Sequence, residues 1–305
     1  MKLVSYNIQY GFGTDGRYDL SRAAGLVDGA DIVALQEVER HWRRTNEDDQ
    51  AELLSRLLPN YHWVFGPAFD MDASRVENGR VVNSRRQFGP MLLSKLPIVW
   101  SRLHSLPMRR LARPINTRAA ALEAMIRTPS GPVRVLSIHL AHVAAEERLE
   151  QIDTLLAEHS RAPRDGGPWS GVDDEPERNW TNGEPEPESP ATAIWLGDFN
   201  CEPDSAEYRR IVGSIPYHPG AAYADGFVDA ASVASTPAGS FHTHEKTIGG
   251  TLKLRRLDHC FVTGDLAGRV RSVTADRGSG ASDHFALSVD IDLETPLAAA
   301  GRGQP

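Results

Sequence analysis

What limits this chain most is a recurring unit: an apolar run of strand length that stops abruptly at polar side chains capable of chemistry. LVSYNI (3–8) carries Asn7, DIVALQEV (31–38) carries Glu37, and AIWLGDFN (193–200) runs into Asp198 and Asn200 after Gly197. SDHFALSVDIDL (282–293) brings Asp283 and His284. SIHLAH (137–142) sets His139 between Ile138 and Leu140, and RRLDHCFV (255–262) sets Asp258 ahead of an apolar run. Short, nearly continuous apolar runs suit strands buried in a sheet. Gly-Asp-Phe-Asn alone could equally be a turn, since Gly, Asp and Asn all form turns. Helical patterns lie between the runs. DLSRAAGLV (19–27) has Asp19 as N-cap and Leu20, Ala23, Ala24 and Val27 at helical spacing. DDQAELLSRLL (48–58) places Leu53, Leu54, Leu57 and Leu58 on one face, and AAEERLEQIDTLLAEH (144–159) turns Leu149, Ile152 and Leu156 inward. Residues 118–142 read as a hairpin around Pro-Ser-Gly-Pro. The alternation of strands and helices occurs twice, which suggests two similar halves.

Residues 160–190 break the pattern. They are rich in Pro, Gly and acidic residues and lack periodicity, so they are expected to form a flexible surface insertion within one domain spanning 1–293. Residues 294–305 are expected to be a frayed tail. A 305-residue chain can bury a large core. No run of 18 apolar residues suggests a membrane span. MKLVSYNIQYGFG reads as a strand rather than a signal peptide. Cys201 and Cys260 form no disulfide framework, so an intracellular, cytoplasmic protein is expected. The net charge of -8 argues against an undirected nucleic-acid binder. Local basic clusters stand at Arg40, Arg43 and Arg44; Arg85 and Arg86; Arg109, Arg110 and Arg113; and Lys253, Arg255 and Arg256.

Polar groups at the ends of several strands commonly converge on one site. Carboxylate oxygens are hard ligands that suit Mg²⁺ or Mn²⁺ rather than Zn²⁺. A carboxylate, an amide and two histidines beside such an ion suit attack on a phosphate ester.

Taken in order, SYNIQ, LQEV, FGPMLLSKLPI, SIHLAH with the EERLEQ helix, GDFNCEPDS, RLDHCFV and SDHFAL resemble the motifs of the endonuclease/exonuclease/phosphatase superfamily of metal-dependent phosphoesterases. The resemblance runs from Lys2 to about Asp292, outside the 160–190 insertion. It implies a four-layered α/β sandwich: two mixed β-sheets packed face to face, helices outside, and the site at one edge. It implies Glu37 as main metal ligand, with Asn7 and Asp283 on the metal side. Asp198 would orient and deprotonate the attacking water, and Asn200 would position that water or hold a phosphate oxygen. His284 would bind the scissile phosphate, with Asp258 holding its ring, and His139 would serve a non-bridging oxygen or the leaving group. The chain departs from the nucleases at Gln9, where a carboxylate is common, and from the abasic-site enzymes at His139, where they carry a tyrosine. No clear inositol-phosphatase lysine-and-arginine motif is found.

Other residues carry open readings. Arg118 stands where the family often has an arginine and is a candidate phosphate contact. His242 and His244 alternate along a presumed strand and are expected to share a face, as a substrate rim or a zinc pair. His142 is a strand-end histidine, and Cys201 is a packing residue. Trp169 and Trp180 could stack on a ligand or dock the insertion. The expected reaction is Mg²⁺- or Mn²⁺-dependent hydrolysis of a phosphate ester, favouring a small phosphodiester or a lipid or metabolite head group. Nuclease action on DNA or RNA and a non-catalytic binding scaffold are the alternatives.

Overall fold

The computed structural model describes residues 1–213, 223 and 225–296. The chain opens with β1 (Lys2–Asn7), α1 (Leu20–Val27), β2 (Ile32–Arg40) and α2 (Gln50–Leu57). It continues through β3 (His62–Phe65), β4 (Phe69–Asp72), β5 (Arg75–Glu77), β6 (Arg80–Val82), β7 (Arg85–Ser94), β8 (Ile98–Ser105), β9 (Ala120–Thr128) and β10 (Gly131–His139). Next come α3 (Ala145–Asp165), β11 (Ala193–Asp198), α4 (Ala206–Val212), β12 (Phe227–Asp229) and α5 (Ala230–Val233). The last elements are β13 (His244–Ile248), β14 (Thr251–Arg255), β15 (Asp258–Thr263), β16 (Val270–Ala275) and β17 (Leu287–Ile291).

One sheet is ordered β16-β17-β1-β2-β7-β3, with β4 also paired to β7; the other is ordered β12-β15-β11-β10-β9-β8. Each contains one parallel pair, β1 with β2 and β10 with β11, flanked by antiparallel neighbours. That shared plan is the pair of similar halves implied by the twofold alternation.

Side-chain alternation along each strand builds the layers. Leu3, Ile32 and Ala34 face Val135, Ile194 and Leu196 in the core between the sheets. Val4, Tyr6, Val33 and Leu35 turn the other way, onto Leu20, Ala23, Val27 and Leu54 of α1 and α2. Leu136, Ile138 and Trp195 pack outward against Ile152 and Leu155 of α3 and Ile211 of α4. The result is the expected four-layered α/β sandwich. Asp19 caps α1 by accepting from Ser21 N at 3.0 Å.

Several local expectations change. Leu57 is exposed, because α2 ends there and its buried face is carried by Ala51 and Leu54. α3 continues to Asp165, six residues into the segment expected to be an irregular insertion. Buried Ala162 anchors that last turn, and Arg161 pairs with Glu158 and Asp165 on its surface. The segment's far end is tied down too. Ser189 Oγ donates to Ala162 O (2.8 Å), Trp100 Nε1 to Glu188 O (2.9 Å) and Arg134 Nε to Pro190 O (2.6 Å). In the expected tail, Thr295 and Pro296 accept from the Arg269 guanidinium, and residues 297–305 lie outside the described residues.

Candidate active site

The parallel strands of both sheets end at the same edge. β1 ends at Asn7, β10 at His139 and β11 at Asp198. Glu37 lies within β2, where the pairing with β7 slips between Leu35 and Val38. β2 has one residue more than its partner there, a bulge that lifts Glu37 out of the ladder at φ 61°. Asp258 opens β15 directly opposite Asp198. Asp283 and His284 precede β17 rather than ending a strand. They still reach the site, because β17 runs antiparallel to β1 and its start lies beside the end of β1. Gly197 is required where β11 passes β10, since a Cβ there would lie 1.9 Å from Ile138 O.

Asp198 is 2% exposed and held from three sides. Asn7 Nδ2 donates to its Oδ2 (3.0 Å), and Asn200 N donates to its Oδ1 (2.9 Å). His284 Nε2 lies 3.6 Å and His139 Nε2 3.8 Å from Oδ2. Burial opposes ionisation of Asp198, but the two imidazoles and these hydrogen bonds prevail, and its pKa lies below the usual carboxylate range. His284 Nδ1 is 2.8 Å from Asp258 Oδ2. Burial would strip the His284 proton, yet Asp258 and Asp198 raise its pKa to about 10. The ring is therefore an imidazolium that presents Nε2–H beside Asp198. Burial pushes Asp258 up.

Asp198, Asp258 and His284 offer atoms within 4.8 Å of one another, a spacing that could hold an ion. The hydrogen bond of 2.8 Å between His284 Nδ1 and Asp258 Oδ2 also lets this trio act as a chain for a proton. The stronger cation donors are Glu37 and Asp283. Both line the cavity, with side chains 19% and 23% exposed. Glu37 is engaged by Asn7 Nδ2 (3.2 Å), and His139 Nε2 lies 3.7 Å away. Oxygen donors of this kind fit a hard divalent ion. Asn7, expected on the metal side, touches Glu37 directly. Its Oδ1 accepts from Gln9 N (3.0 Å) while its amide nitrogen bridges Glu37 and Asp198.

The cavity has a volume of ≈ 480 Å³ and gathers Glu37, His139, Asp198, Asn200, His244, Asp283 and His284. His142, exposed at the rim, also lines it, and partial desolvation beside His139 lowers its pKa. Asn200 is fixed by donating Nδ2 to Leu140 O (3.0 Å). Arg118 is exposed and is not part of the lining. The neighbouring Thr117 lines the cavity, and adjacent residues of an extended segment face opposite ways. His242 and His244 do not share a face. β13 starts only at His244, so the two-residue period does not extend back to His242, which pairs with Glu245 (2.8 Å) beside a separate pocket. Cys201 is buried in the α3–α4 core, which pushes its thiol up to about 12. Trp169, Trp180 and the rest of 160–190 do not line the cavity.

Sequence reasoning missed an aromatic wall of Tyr10, Trp42, Phe69 and Phe88. Phe88 stands 6.2 Å from His139, Phe69 stacks on Phe88 at 5.3 Å, and Trp42 meets Phe69 edge-on at 6.0 Å. Nothing in the local sequence separates these rings from core aromatics. Arg44, Lys246 and Arg255 also line the cavity. Arg44 and Arg255 belong to basic clusters visible in the sequence, but spacing alone could not select them.

The profile of the Endonuclease/Exonuclease/phosphatase family matches residues 4–284. No curated protein matches the chain. Among solved structures, it resembles an endonuclease/exonuclease/phosphatase family protein from Leptotrichia buccalis C-1013-b. That pair is 17% identical with a TM-score of 0.63, over 96% of this chain and 99% of that one. It also resembles mannosyl-6-phosphatase Bt3783 from Bacteroides thetaiotaomicron VPI-5482, at 16% identity and TM-score 0.58 over 95% and 99% of the two chains. The 3′ phosphatase NExo from Neisseria, solved bound to a product DNA hairpin, superposes with TM-score 0.56 at 16% identity over 96% and 99%. At these identities the structures speak for a common fold; the profile match across nearly the whole chain, with the strand-end carboxylates and histidines gathered at one edge, makes it a member of the endonuclease/exonuclease/phosphatase family of phosphoesterases.

Proposed function

We propose that the protein is a Mg²⁺- or Mn²⁺-dependent hydrolase that cleaves the phosphate ester of a small organic molecule by in-line attack of water. The observation that carries this reading is geometric: buried Asp198, held by Asn7 Nδ2 and Asn200 N, faces His284 Nε2 at 3.6 Å in the cavity that also holds Glu37 and Asp283. Glu37 and Asp283 would hold the ion. When bound, the ion would supply Lewis-acid stabilisation of a phosphoryl oxygen. Asp198, locked by Asn7 and Asn200 N, orients a water and takes its proton. His284 donates Nε2–H to a phosphoryl oxygen as negative charge grows, and Asp258 fixes its ring and its charge. His139, between Glu37 and the aromatic wall, is placed to serve the leaving group.

The aromatic wall supports a substrate with an organic body, and a cavity of ≈ 480 Å³ suits a small ester. Two structural neighbours are named as phosphatases, so monoesters and diesters are both candidates. No helix among the described residues is long and apolar enough to cross a membrane. Turnover of bis(4-nitrophenyl) phosphate and 4-nitrophenyl phosphate, with Mg²⁺ or Mn²⁺ and again with EDTA, tests the reading. Metal-restored hydrolysis of at least one ester is expected. Hydrolysis undiminished by EDTA, or none of any phosphate ester, would overturn it.

A further inference from the structure

The hairpin of β13 and β14 carries cations that the fold leaves without counter-charge. His244 lies directly opposite Arg255, and Lys246 directly opposite Lys253. Residues two apart on a strand share a face, so all four side chains belong to one face of the hairpin. Like charges placed directly opposite one another are destabilising, yet this face sets Lys246 against Lys253. Arg256 forms an ion pair with Asp229, while the His242 ring stands 2.8 Å from Glu245 and the His244 ring 3.8 Å from Asp283. Among the described residues no carboxylate pairs with Arg255, Lys246 or Lys253. Arg255 Nη2 donates to His244 Nδ1 at 3.3 Å, and its buried Nε has no acceptor. By contrast Arg44, across the cavity, is matched by buried Glu39. Arg255 and Lys246 line the same cavity as the catalytic carboxylates.

We propose that this face is an anion subsite, so that the substrate carries a second phosphate besides the scissile one. This rests on the phosphoesterase reading above and adds the substrate's charge pattern to it. Two residues along a strand span about 7 Å. The Arg255 level stands next to the reacting centre through His244 and Asp283, and the lysine pair lies one such step further out. A small bisphosphate with its phosphates about that far apart therefore fits both levels at once. The rule that desolvated cations need an acceptor gives Arg255 Nε its partner.

The test is calorimetric and independent of turnover. Propane-1,3-diol bisphosphate and propane-1,3-diol monophosphate are titrated into the protein in EDTA, where the proposed metal-dependent hydrolysis does not run. The bisphosphate is expected to bind at least tenfold tighter. In Lys246→Gln/Lys253→Gln that advantage should fall below threefold with monophosphate binding unchanged, and Lys246→Arg/Lys253→Arg should keep it. Arg255→Gln should weaken both ligands, since each places a phosphate at its level. Equal binding of the two ligands by the wild type, or equal losses for both in Lys246→Gln/Lys253→Gln, would overturn the subsite. A thymidylate oligomer that binds through these lysines while the bisphosphate does not would overturn the small-molecule assignment. If the subsite behaves as expected while no phosphate ester is hydrolysed, the failure lies with the proposed reaction alone.

Discussion

At Asp198 burial and charge pull in opposite directions, and the neighbours decide the outcome. An isolated carboxylate so deep would bind a proton. Here Asn7, Asn200 N, His139 and His284 keep it ionised. The same logic, inverted, keeps the proton on His284 through Asp258. Removing the Asp258 charge in Asp258→Asn should move the protonation midpoint of His284 down from about 10, read from its ring-proton NMR shifts. An unmoved midpoint would show that Asp258 does not hold the charge. Glu37 belongs to a different job. Glu37→Gln keeps the side chain's size and removes its charge, and Mg²⁺ affinity should fall by about tenfold or more, or about 1.4 kcal/mol. Calorimetry that shows unchanged Mg²⁺ binding in a folded Glu37→Gln protein would take Glu37 out of the metal site.

Elements bring these residues together by ending or bulging at one edge. The β11 crossing at Gly197 leaves no room for a side chain, since a Cβ would meet the Ile138 carbonyl at 1.9 Å. Gly197→Ala should therefore destabilise by about 3 kcal/mol, the scale of a severe backbone clash in a core. A melting temperature within a degree of wild type would contradict that geometry. The sequence made much of this legible. Each apolar run ending in Asn7, Glu37, His139 or Asp198 could alone be a turn, but their recurrence along the chain pointed to one site. It was silent where position depends on pairing partners. The bulge that lifts Glu37 out of β2 exists only against β7, and the start of β13 at His244 separates it from His242. Composition ended the helix at 159 and began the insertion at 160, but buried Ala162 and the ion pairs of Arg161 carry α3 on to Asp165. The aromatic wall comes from four separate segments, and no local pattern announces a contact of that kind.

Among the described residues outside the site, His259 is buried and His159 half-buried, both without charge. Burial and Arg134 lower the pKa of His159 to about 4, and burial and Arg256 lower that of His259 to about 4. In the unfolded chain both titrate near the ordinary value of about 6.5. The stability they contribute is complete above that value. It is lost as pH falls toward 4, because the unfolded chain binds protons that the folded one refuses. Each can contribute a slope of up to about 1.4 kcal/mol per pH unit in that window. The melting temperature should fall steadily from pH 6.5 to 4, and His159→Phe, whose ring can pack against Trp195 and Phe227, should flatten the decline. An acid profile identical to wild type would show that His159 is not held neutral. The central claim, that the sandwich exists to aim Asp198 at a water beside a phosphate held by His284, is tested most directly by kcat and melting temperature measured on one preparation of Asp198→Asn. The account predicts a kcat at least roughly a hundredfold below wild type with the melting transition retained. Full activity in a folded Asp198→Asn protein, or lost stability with activity per folded molecule unchanged, would contradict it.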